Sequence, residues 1–349
     1  MKKWCYLAAA VCCAALTLSG CNNKEETESL TIFNYGEYMD PDVIDMFEEE
    51  TGIEIKYEEA TTPEEMYTKY SSGAISYDLL CTSDYMIQRL INEGEVQKVD
   101  FSSMQHTGNI GDKYWEFASV FDPDNEYALP YFWGTVGILY DTTKVDAPVD
   151  SWDVLFNGNY ANNIIMPNSQ RDAFMVALKY LGYSLNTSDE AQIREAQQLL
   201  LQQKPDVQSY LVDEARDEVV AGNAAMAVVY SGEAYLGHEY NNNLAYTIPK
   251  EGSNVWLDTW IVTKHCQNVD AAEKFLDFLC REDVAAMNFE YIYYSTPNEA
   301  VINSLDPELR NNESLVPADS ATDNCEVCTQ TDAAVTQLYS DLWKELKSE

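Results

Sequence analysis

Basic residues and histidine are scarce in this chain, while acidic residues are abundant. Its 349 residues include 21 lysines and arginines and 3 histidines against 59 aspartates and glutamates, which gives a formal net charge of −38. A surface this acidic repels the phosphates of nucleic acids and the headgroups of anionic lipids, and it attracts cations. We therefore expect no nucleic-acid partner. The charge alone does not identify a cationic ligand, because a high net charge also keeps a protein soluble.

The sequence also lacks the short motifs of common catalytic sites. It contains no Gly-x-Ser-x-Gly, no His-Glu-x-x-His, no phosphate loop ending in Gly-Lys-Ser/Thr and no Gly-x-Gly-x-x-Gly. The stretch from Asp122 to Glu126 is similar to a calcium loop but lacks the glycine and the downstream glutamate of such a loop, so we predict a turn. We expect no enzyme activity, no cofactor and no bound metal.

The cysteines do not form the even set that a disulfide framework needs. Of the 9 cysteines, 3 lie in an apolar N-terminal run, and Cys21 follows that run directly. The others are Cys81, Cys266, Cys280, Cys325 and Cys328. Cys325 and Cys328 have the spacing of a redox pair or half a zinc site, but the mature chain has no second such pair. We expect one local disulfide or free thiols. An extracellular enzyme or thiol exchanger that uses Cys325 and Cys328 is the alternative function of another class.

The N-terminus has the layout of a secretory signal. Two lysines precede an uncharged apolar run from Trp4 to Leu18, which is too short to span a bilayer comfortably. The sequence Leu-Ser-Gly-Cys that ends at Cys21 resembles the end of a bacterial lipoprotein signal. We therefore predict a signal peptide at residues 1–20, a lipid such as palmitate on the Cys21 thiol, and a polar tether at residues 21–29. The mature protein is then expected outside the cytoplasmic membrane and attached to it through this lipid only, with a single-pass anchor as the alternative.

Strand and helix patterns alternate after the tether. Leu30–Tyr35 and Ile53–Glu58 alternate apolar and polar residues like strands, and Tyr77–Cys81 is a third short strand. Helices begin at Pro41 and Pro63, each just after a residue that can cap a helix. This alternation predicts an α/β protein with a mostly parallel sheet covered by helices. The length after the tether favours two lobes, and the lack of a flexible linker means that the chain crosses between them more than once.

Aromatic residues occur beside acids at the ends of predicted strands. The chain contains 24 tyrosines and 7 tryptophans. The clusters are Asn34-Tyr-Gly-Glu-Tyr38, Ser83-Asp-Tyr85, Tyr230-Ser-Gly-Glu233, and Trp256 with Asp258 on one face of a strand. Open α/β sheets present ligand-binding residues at strand ends. Aromatic rings pack against methylene groups and attract cations, and carboxylates accept hydrogen bonds from ammonium groups. These clusters therefore favour an alkylammonium ligand.

Longer motifs make a family resemblance specific. They are Phe33-Asn-Tyr-Gly-Glu-Tyr38, Leu129-Pro-Tyr-Phe-Trp-Gly134, Arg171-Asp-Ala-Phe-Met-Val-Ala-Leu-Lys-Tyr-Leu-Gly-Tyr183, Pro249-Lys-Glu-Gly252 followed by Trp256-Leu-Asp258, and Tyr294-Ser-Thr-Pro-Asn298. Together they resemble the spermidine/putrescine-binding proteins of ABC importers, in the order and spacing of that family. The resemblance implies a monomeric, periplasmic-binding-protein-like fold of type II. Each of its two lobes has a mostly parallel sheet flanked by helices, and a polyamine is bound in the cleft between them for delivery to permease subunits.

The resemblance also implies domain limits and ligand-binding residues. Lobe 1 comprises residues 30–135 and 260–305, and lobe 2 comprises residues 136–259 and 306–349. The residues carried over are Tyr35, Gly36, Glu37 and Tyr38 on the first binding loop, Thr82, Ser83 and Tyr85 on the second, Ser169 and Asp172 at a helix start, Tyr230, Trp256 and Asp258 on the far wall, and Tyr294 and Gln330.

The chain departs from the family pattern at four of these positions. Tyr35 and Tyr230 stand where the family has tryptophans, Asp172 replaces a glutamate, and Ser169 replaces an acid. With fewer acids for the three charges of spermidine, we expect putrescine to compete well. The alternative within the same class is a binding protein for another cationic or polar solute, such as an amino acid or a metal chelate.

Overall fold

The computed structural model describes residues 28–146, 148–212 and 214–348. The predicted signal peptide, Cys21 and most of the predicted tether lie outside these residues. Within them, nine β-strands alternate with fourteen α-helices. The strands are β1 (Ser29–Tyr35), β2 (Glu54–Ala60), β3 (Leu79–Ser83), β4 (Ala128–Asp141), β5 (Ile164–Pro167), β6 (Val207–Leu211), β7 (Met226–Tyr230), β8 (Leu244–Thr247) and β9 (Val255–Val262).

The helices range from single turns to more than four turns. They are α1 (Pro41–Thr51), α2 (Pro63–Ser71), α3 (Asp84–Asn92), α4 (Asp112–Ala118), α5 (Gln170–Tyr180), α6 (Glu190–Gln203), α7 (Glu214–Val220), α8 (Ser231–Tyr240), α9 (Val269–Leu279), α10 (Glu282–Ile292), α11 (Glu299–Ser304), α12 (Pro307–Arg310), α13 (Asp319–Thr322) and α14 (Ala333–Ser348). Short 3-10 helices lie at Phe101–Ser103, Thr107–Asn109, Trp152–Leu155 and Lys204–Asp206. No helix in the described part of the chain combines the length and hydrophobicity needed to cross a bilayer.

The strands form one sheet in the order β2-β1-β3-β9-β4-β7-β5-β6, with β8 paired to β4. The α/β class is confirmed, but the sheet is mixed and not mostly parallel. Parallel pairing is limited to β1 with β2 and β3, and to β5 with β6 and β7. The pairings of β9 with β3 and of β4 with β7, β8 and β9 are antiparallel. Because antiparallel partners need no helical crossover, they are harder to infer from strand–helix alternation.

β4 belongs to both halves of the sheet. Its first part, Ala128–Thr135, pairs with β9, and its second part, Val136–Tyr140, pairs with β7. The change of partner coincides with a change of hydrophobic core, since Trp133 packs in one buried cluster and Val136 in another. The first core cluster contains buried apolar residues of β1, β3, β9 and α9, and the second contains buried apolar residues of β5, α5, α6 and α14. β4 thus connects the two largest hydrophobic clusters of the described residues.

Two local features of the first half bear on the site and on the metal prediction. β3 begins two residues later than predicted and ends at Ser83, so Asp84 becomes the first residue of α3. The buried carboxylate of Asp122 accepts hydrogen bonds from the backbone amides of Tyr127 at 2.8 Å and Ala128 at 3.0 Å. The backbone amide of Asn125 donates to the carbonyl of Asp122 at 2.9 Å, which confirms the predicted turn at 122–126. The described residues contain no group of histidines, cysteines and acids arranged to hold a metal.

Candidate functional site

A cleft of about 1080 Å³ lies between elements of the two cores. The ends of β1, β3 and β9 face it from one side, and the start of α5 and the end of β7 face it from the other. Twelve of the fourteen residues predicted from the sequence line this cleft. They are Tyr35, Gly36, Tyr38, Ser83, Tyr85, Ser169, Asp172, Tyr230, Trp256, Asp258, Tyr294 and Gln330.

On one side, a buried carboxylate and two tyrosines form a hydrogen-bonded wall. The hydroxyl of Tyr38 donates to Oδ2 of Asp258 at 2.8 Å, and the Tyr35 hydroxyl lies 3.0 Å from Oγ1 of Thr82. Antiparallel pairing of β3 with β9 sets Asp258 opposite Ser83. Burial raises the pKa of Asp258 to about 7, although the hydrogen bond from Tyr38 lowers it. A cationic group bound beside the carboxylate would therefore stabilise its ionised form and offset the cost of its burial.

On the other side, the start of α5 supplies a second buried carboxylate. Ser169 caps this helix, and its hydroxyl accepts a hydrogen bond from the backbone amide of Asp172 at 3.4 Å. The Tyr230 hydroxyl donates to Oδ2 of Asp172 at 2.8 Å. Burial raises the pKa of Asp172, while Ser169, Tyr230 and Arg171 act in the opposite direction. Each wall thus presents a buried aspartate whose carboxylate accepts a hydrogen bond from a tyrosine hydroxyl.

A continuous row of aromatic rings connects the two walls. Ring centroids are 5.5 Å apart for Tyr35 and Tyr38, 6.3 Å for Tyr38 and Tyr294, 5.1 Å for Tyr294 and Trp256, and 6.4 Å for Trp256 and Tyr230. All four contacts are edge-to-face, an arrangement that aromatic pairs favour. Such a row offers apolar surface for methylene groups and negative ring faces for cations.

Two glycines allow these rings to pack where they do. A Cβ atom on Gly134 of β4 would overlap the Trp256 ring, and one on Gly232 of α8 would overlap the Tyr294 ring. Both glycines belong to motifs that the sequence analysis singled out, but their role is visible only in the packing.

The other two predicted residues do not line the cleft. Glu37 is exposed and has a φ of 54°. Thr82 is fully buried behind Tyr35. Gln330 lies at the cleft and is tied to α3, since its Oε1 accepts a hydrogen bond from the Asn92 side chain at 3.1 Å and its backbone amide donates to Gln88 at 2.6 Å.

Four charged residues of the cleft were not predicted, Glu64, Arg89, Asp84 and Arg171, and the last two lie next to predicted site residues in the chain. The Arg171 guanidinium lies 4.8 Å from the ring centroid of Tyr85, and its Nη2 donates to the carbonyl of Thr329 at 2.8 Å. Asp84 is buried, with 2% of its surface exposed. Signals for both were present, because Asp84 lies in the Ser83-Asp-Tyr85 cluster and Arg171 directly precedes Asp172. Their place in the lining of the cleft could not be read from those positions.

The cysteines of the described residues are all free thiols. Burial raises the pKa of Cys325 to about 11 and that of Cys328 to about 12. Thiol exchange proceeds through the thiolate, which is scarce at neutral pH for groups with such pKa values. These thiols are therefore poorly suited to a thiol exchanger.

Comparison with known proteins finds a matching family of solute-binding proteins and relatives that are named as binding proteins. Residues 42–317 match the family described as bacterial extracellular solute-binding protein. Over 353 aligned residues the chain is 31% identical to the spermidine/putrescine-binding periplasmic protein of Salmonella typhimurium, covering 100% of this chain and 99% of that protein. It is 27% identical to the putrescine-binding periplasmic protein PotF of Escherichia coli over 365 residues, covering 99% and 98% of the two chains.

A solved structure extends the similarity to the fold. The crystal structure of the spermidine/putrescine ABC transporter substrate-binding protein PotD from Streptococcus pneumoniae superposes with a TM-score of 0.84 at 36% identity, covering 92% of this chain and 99% of that one. The expected two-lobed, type II solute-binding fold is confirmed by this similarity. This chain belongs to the family of bacterial extracellular solute-binding proteins.

Proposed function

We propose that this chain is the substrate-binding subunit of an ABC importer and that its cleft binds a polyamine, putrescine or spermidine or both. The observation that carries the proposal is the pairing of buried carboxylates with a row of aromatic rings. The Asp258 carboxylate accepts a hydrogen bond from the Tyr38 hydroxyl, and the Asp172 carboxylate accepts one from the Tyr230 hydroxyl. Both aspartates lie near the ends of that row. Two separated acids with apolar rings between them suit a flexible chain with an ammonium group at each end.

The names of the relatives support the same ligand class. The Salmonella typhimurium relative is named a spermidine/putrescine-binding protein and the Escherichia coli relative a putrescine-binding protein. Twelve of the residues that the family resemblance assigns to the ligand line one cleft here, and we propose them as ligand-binding residues. Thr82 is proposed to act indirectly, by holding the Tyr35 hydroxyl, and Glu37 stays a prediction from the family resemblance.

Calorimetric titration of the purified protein tests the proposal. Putrescine and spermidine are titrated beside 4-aminobutyrate, which has a similar carbon chain but carries a carboxylate in place of one ammonium group. We expect binding of at least one polyamine and a much weaker response to the amino acid, because Asp258 and Asp172 each repel a carboxylate. Binding of 4-aminobutyrate at least as tight as that of both polyamines would overturn the polyamine assignment and favour an amino-acid-binding protein.

We also propose that residues 1–20 are removed and that Cys21 carries the lipid anchor. The Leu-Ser-Gly-Cys sequence supports this, and the relatives named periplasmic support a location outside the cytoplasmic membrane. Mass spectrometry of the mature N-terminal peptide is expected to find an acylated Cys21, and Cys21→Ser is expected to leave the membrane fraction. A membrane-bound Cys21→Ser variant with an intact N-terminus would instead indicate a transmembrane anchor.

The two lobes are proposed with one adjustment to the sequence-based limits. Val255 and Leu257 pack in the first core cluster, although they precede residue 260. We therefore propose lobe 1 as residues 30–135 and 255–305, and lobe 2 as residues 136–254 and 306–349. Closure of such lobes over a polyamine would present the monomer to its permease. Small-angle scattering with and without ligand checks this, since closure lowers the radius of gyration and a rigid protein leaves it unchanged.

A further inference from the structure

Asp84 is a buried carboxylate of the cleft with no part in the site described above. It follows β3 as the first residue of α3 and lines the cleft with 2% of its surface exposed. The preceding residue, Ser83, is paired with Asp258 on β9. Because Asp84 directly follows Ser83, it lies on the same wall of the cleft as Asp258.

The hydrogen bonding of Asp84 is incomplete. Its Oδ1 accepts a hydrogen bond from the backbone amide of Tyr85 at 2.6 Å, but Oδ2 has no donor with acceptable geometry in the described ranges. Burial and, to a lesser extent, the charge of Asp258 raise the pKa of Asp84 to about 7, although the Tyr85 amide, Arg171 and the nearby Leu257 amide lower it. A buried carboxylate oxygen without a donor is unfavourable, and a cationic donor from a ligand relieves that cost.

When Asp84 is included, the net negative charge of the cleft lining matches a ligand with three positive charges. The carboxylates are Glu64, Asp84, Asp172 and Asp258, and the guanidiniums are Arg89 and Arg171. Arg89 is paired with Glu93, which does not line the cleft, at 2.9 Å. When all four carboxylates are ionised, as in a complex with a cation, Arg171 offsets one of them and leaves an excess of three negative charges. Without Asp84 the excess would be two, which matches a diamine.

We propose that Asp84 is a third ammonium-binding carboxylate and makes the cleft a site for a triamine. This inference rests on the proposed polyamine function. Ser169, which stands where the resemblance implies an acid, uses its hydroxyl to cap α5. Asp84 supplies the third acid from the opposite wall. The proposal differs from the sequence-based expectation that putrescine competes well against spermidine.

Titration of spermidine and putrescine against matched variants tests the assignment. Asp84→Asn keeps the shape of the side chain and removes its charge. We expect it to weaken spermidine binding by at least about tenfold and putrescine binding by less than about threefold, because only the triamine needs the third acid. Asp112→Asn is the control, since Asp112 is also the first residue of a helix but is exposed and outside the cleft.

The outcomes separate the two proposals. Wild-type protein that binds neither polyamine would overturn the proposed function. Wild-type protein that binds spermidine, with an Asp84→Asn variant that weakens both ligands equally or neither of them, would overturn the role of Asp84 alone.

Ser169→Asp provides a test that does not depend on the folding of Asp84→Asn. If Asp84 already binds the third ammonium group of spermidine, Ser169→Asp should change the ratio of the putrescine to the spermidine dissociation constant by less than about threefold. A gain in spermidine selectivity above about tenfold would mean that the third ammonium has no acid in the wild type and would overturn the inference. In the Asp84→Asn background, Ser169→Asp should recover spermidine selectivity.

Discussion

Asp258 illustrates how a single side chain of this cleft is prepared for a cation. Its carboxylate is buried, accepts a hydrogen bond from Tyr38 and has a pKa raised to about 7 by burial. Keeping this charge out of water costs free energy. An ammonium group that binds beside the carboxylate offsets this cost. Asp172 has the same combination of burial and a tyrosine hydroxyl on the opposite wall.

Asp258→Asn is expected to weaken polyamine binding by well over tenfold. Removing one partner of a buried, hydrogen-bonded charge pair costs about 2–5 kcal/mol, and asparagine can still accept the hydrogen bond from Tyr38. Calorimetric titration measures the change. Asp42→Asn, at an exposed position on α1, is the control and should leave the dissociation constant unchanged. An unchanged constant for Asp258→Asn would remove this residue from the ligand site.

Polyamine affinity is expected to rise with pH between about 6 and about 8. Burial raises the pKa of Asp258 and of Asp84 to about 7, whereas alkylammonium groups stay protonated to about pH 10. The ligand binds the ionised carboxylates, so below about pH 7 the unliganded protein must release protons before it binds. Titration in two buffers with different ionisation enthalpies should detect this release. A flat affinity profile without proton release would mean that both groups are already ionised at about pH 6.

The aromatic row depends on contacts between elements that are far apart in the chain. Trp256 on β9 packs over Gly134 of β4, and Tyr294, which precedes α11, packs over Gly232 of α8. The rings are therefore positioned by the absence of a Cβ atom on a neighbouring strand and on a neighbouring helix.

Gly232→Ala should reduce ligand affinity by about five- to thirtyfold. Its Cβ atom would displace the Tyr294 ring, and the interaction of a cation with one aromatic ring is worth about 1–2 kcal/mol. Gly108→Ala, where an added Cβ has open space around it, is the control. Alanine otherwise favours a helix, so a loss of affinity with no loss of thermal stability would identify the ring as the cause. Equal affinity for wild type and Gly232→Ala would show that the ligand does not use this ring.

The segment 324–330 connects the two halves of the molecule. The carbonyl of Asn324 and Oε1 of Glu326 accept hydrogen bonds from Nζ of Lys179 on α5, at 2.9 Å and 2.8 Å. The carbonyl of Glu326 accepts a hydrogen bond from the amide of Val255 at the start of β9, at 3.0 Å. One buried lysine thus fastens a helix of the second core to a segment that also pairs with the first.

Lys179→Met is expected to lower the free energy of unfolding by about 1.5–3 kcal/mol, because hydrogen bonds to charged groups contribute about that much. Burial alone would raise the pKa of Glu326, but Lys179 and Ser184 lower it overall. The folded-state pKa lies below the unfolded value, so this stabilisation is present near neutral pH and is lost as pH falls below about 4.5.

Urea unfolding of wild type and Lys179→Met at several pH values measures this difference. Lys250→Met is the control, because Lys250 forms an exposed ion pair with Asp150 at 3.4 Å, and such pairs contribute little. A difference of the same size at low pH would mean that packing of the lysine stem, and not its charge, is responsible.

Most of the local structure could be predicted from the sequence because it depends on neighbours in the chain. Asp40 and Pro41 begin α1 as expected, with the Asp40 carboxylate accepting from the Asp42 amide at 3.0 Å, and Gly52 ends the helix with a φ of 73°. The strand ends carried the aromatic and acidic residues of the cleft, so the ligand class was open to inference before any distance was known. The position of β3 was less secure, since a shift of two residues keeps a similar apolar pattern.

By itself, the sequence determined the starts of α1 and α2, several of the strands, the acidic net charge and the chemical character of the cleft, because periodicity, capping and residue type are local properties. Only the tertiary structure decided that β4 and β9 run antiparallel, that Glu37 is exposed and does not line the cleft, and that Asp84 and Arg171 do line it. These properties depend on which distant segments meet and on how far water is excluded between them. Burial of this kind raises the pKa of a carboxylate such as Asp84, and no spacing of residues along the chain encodes it directly.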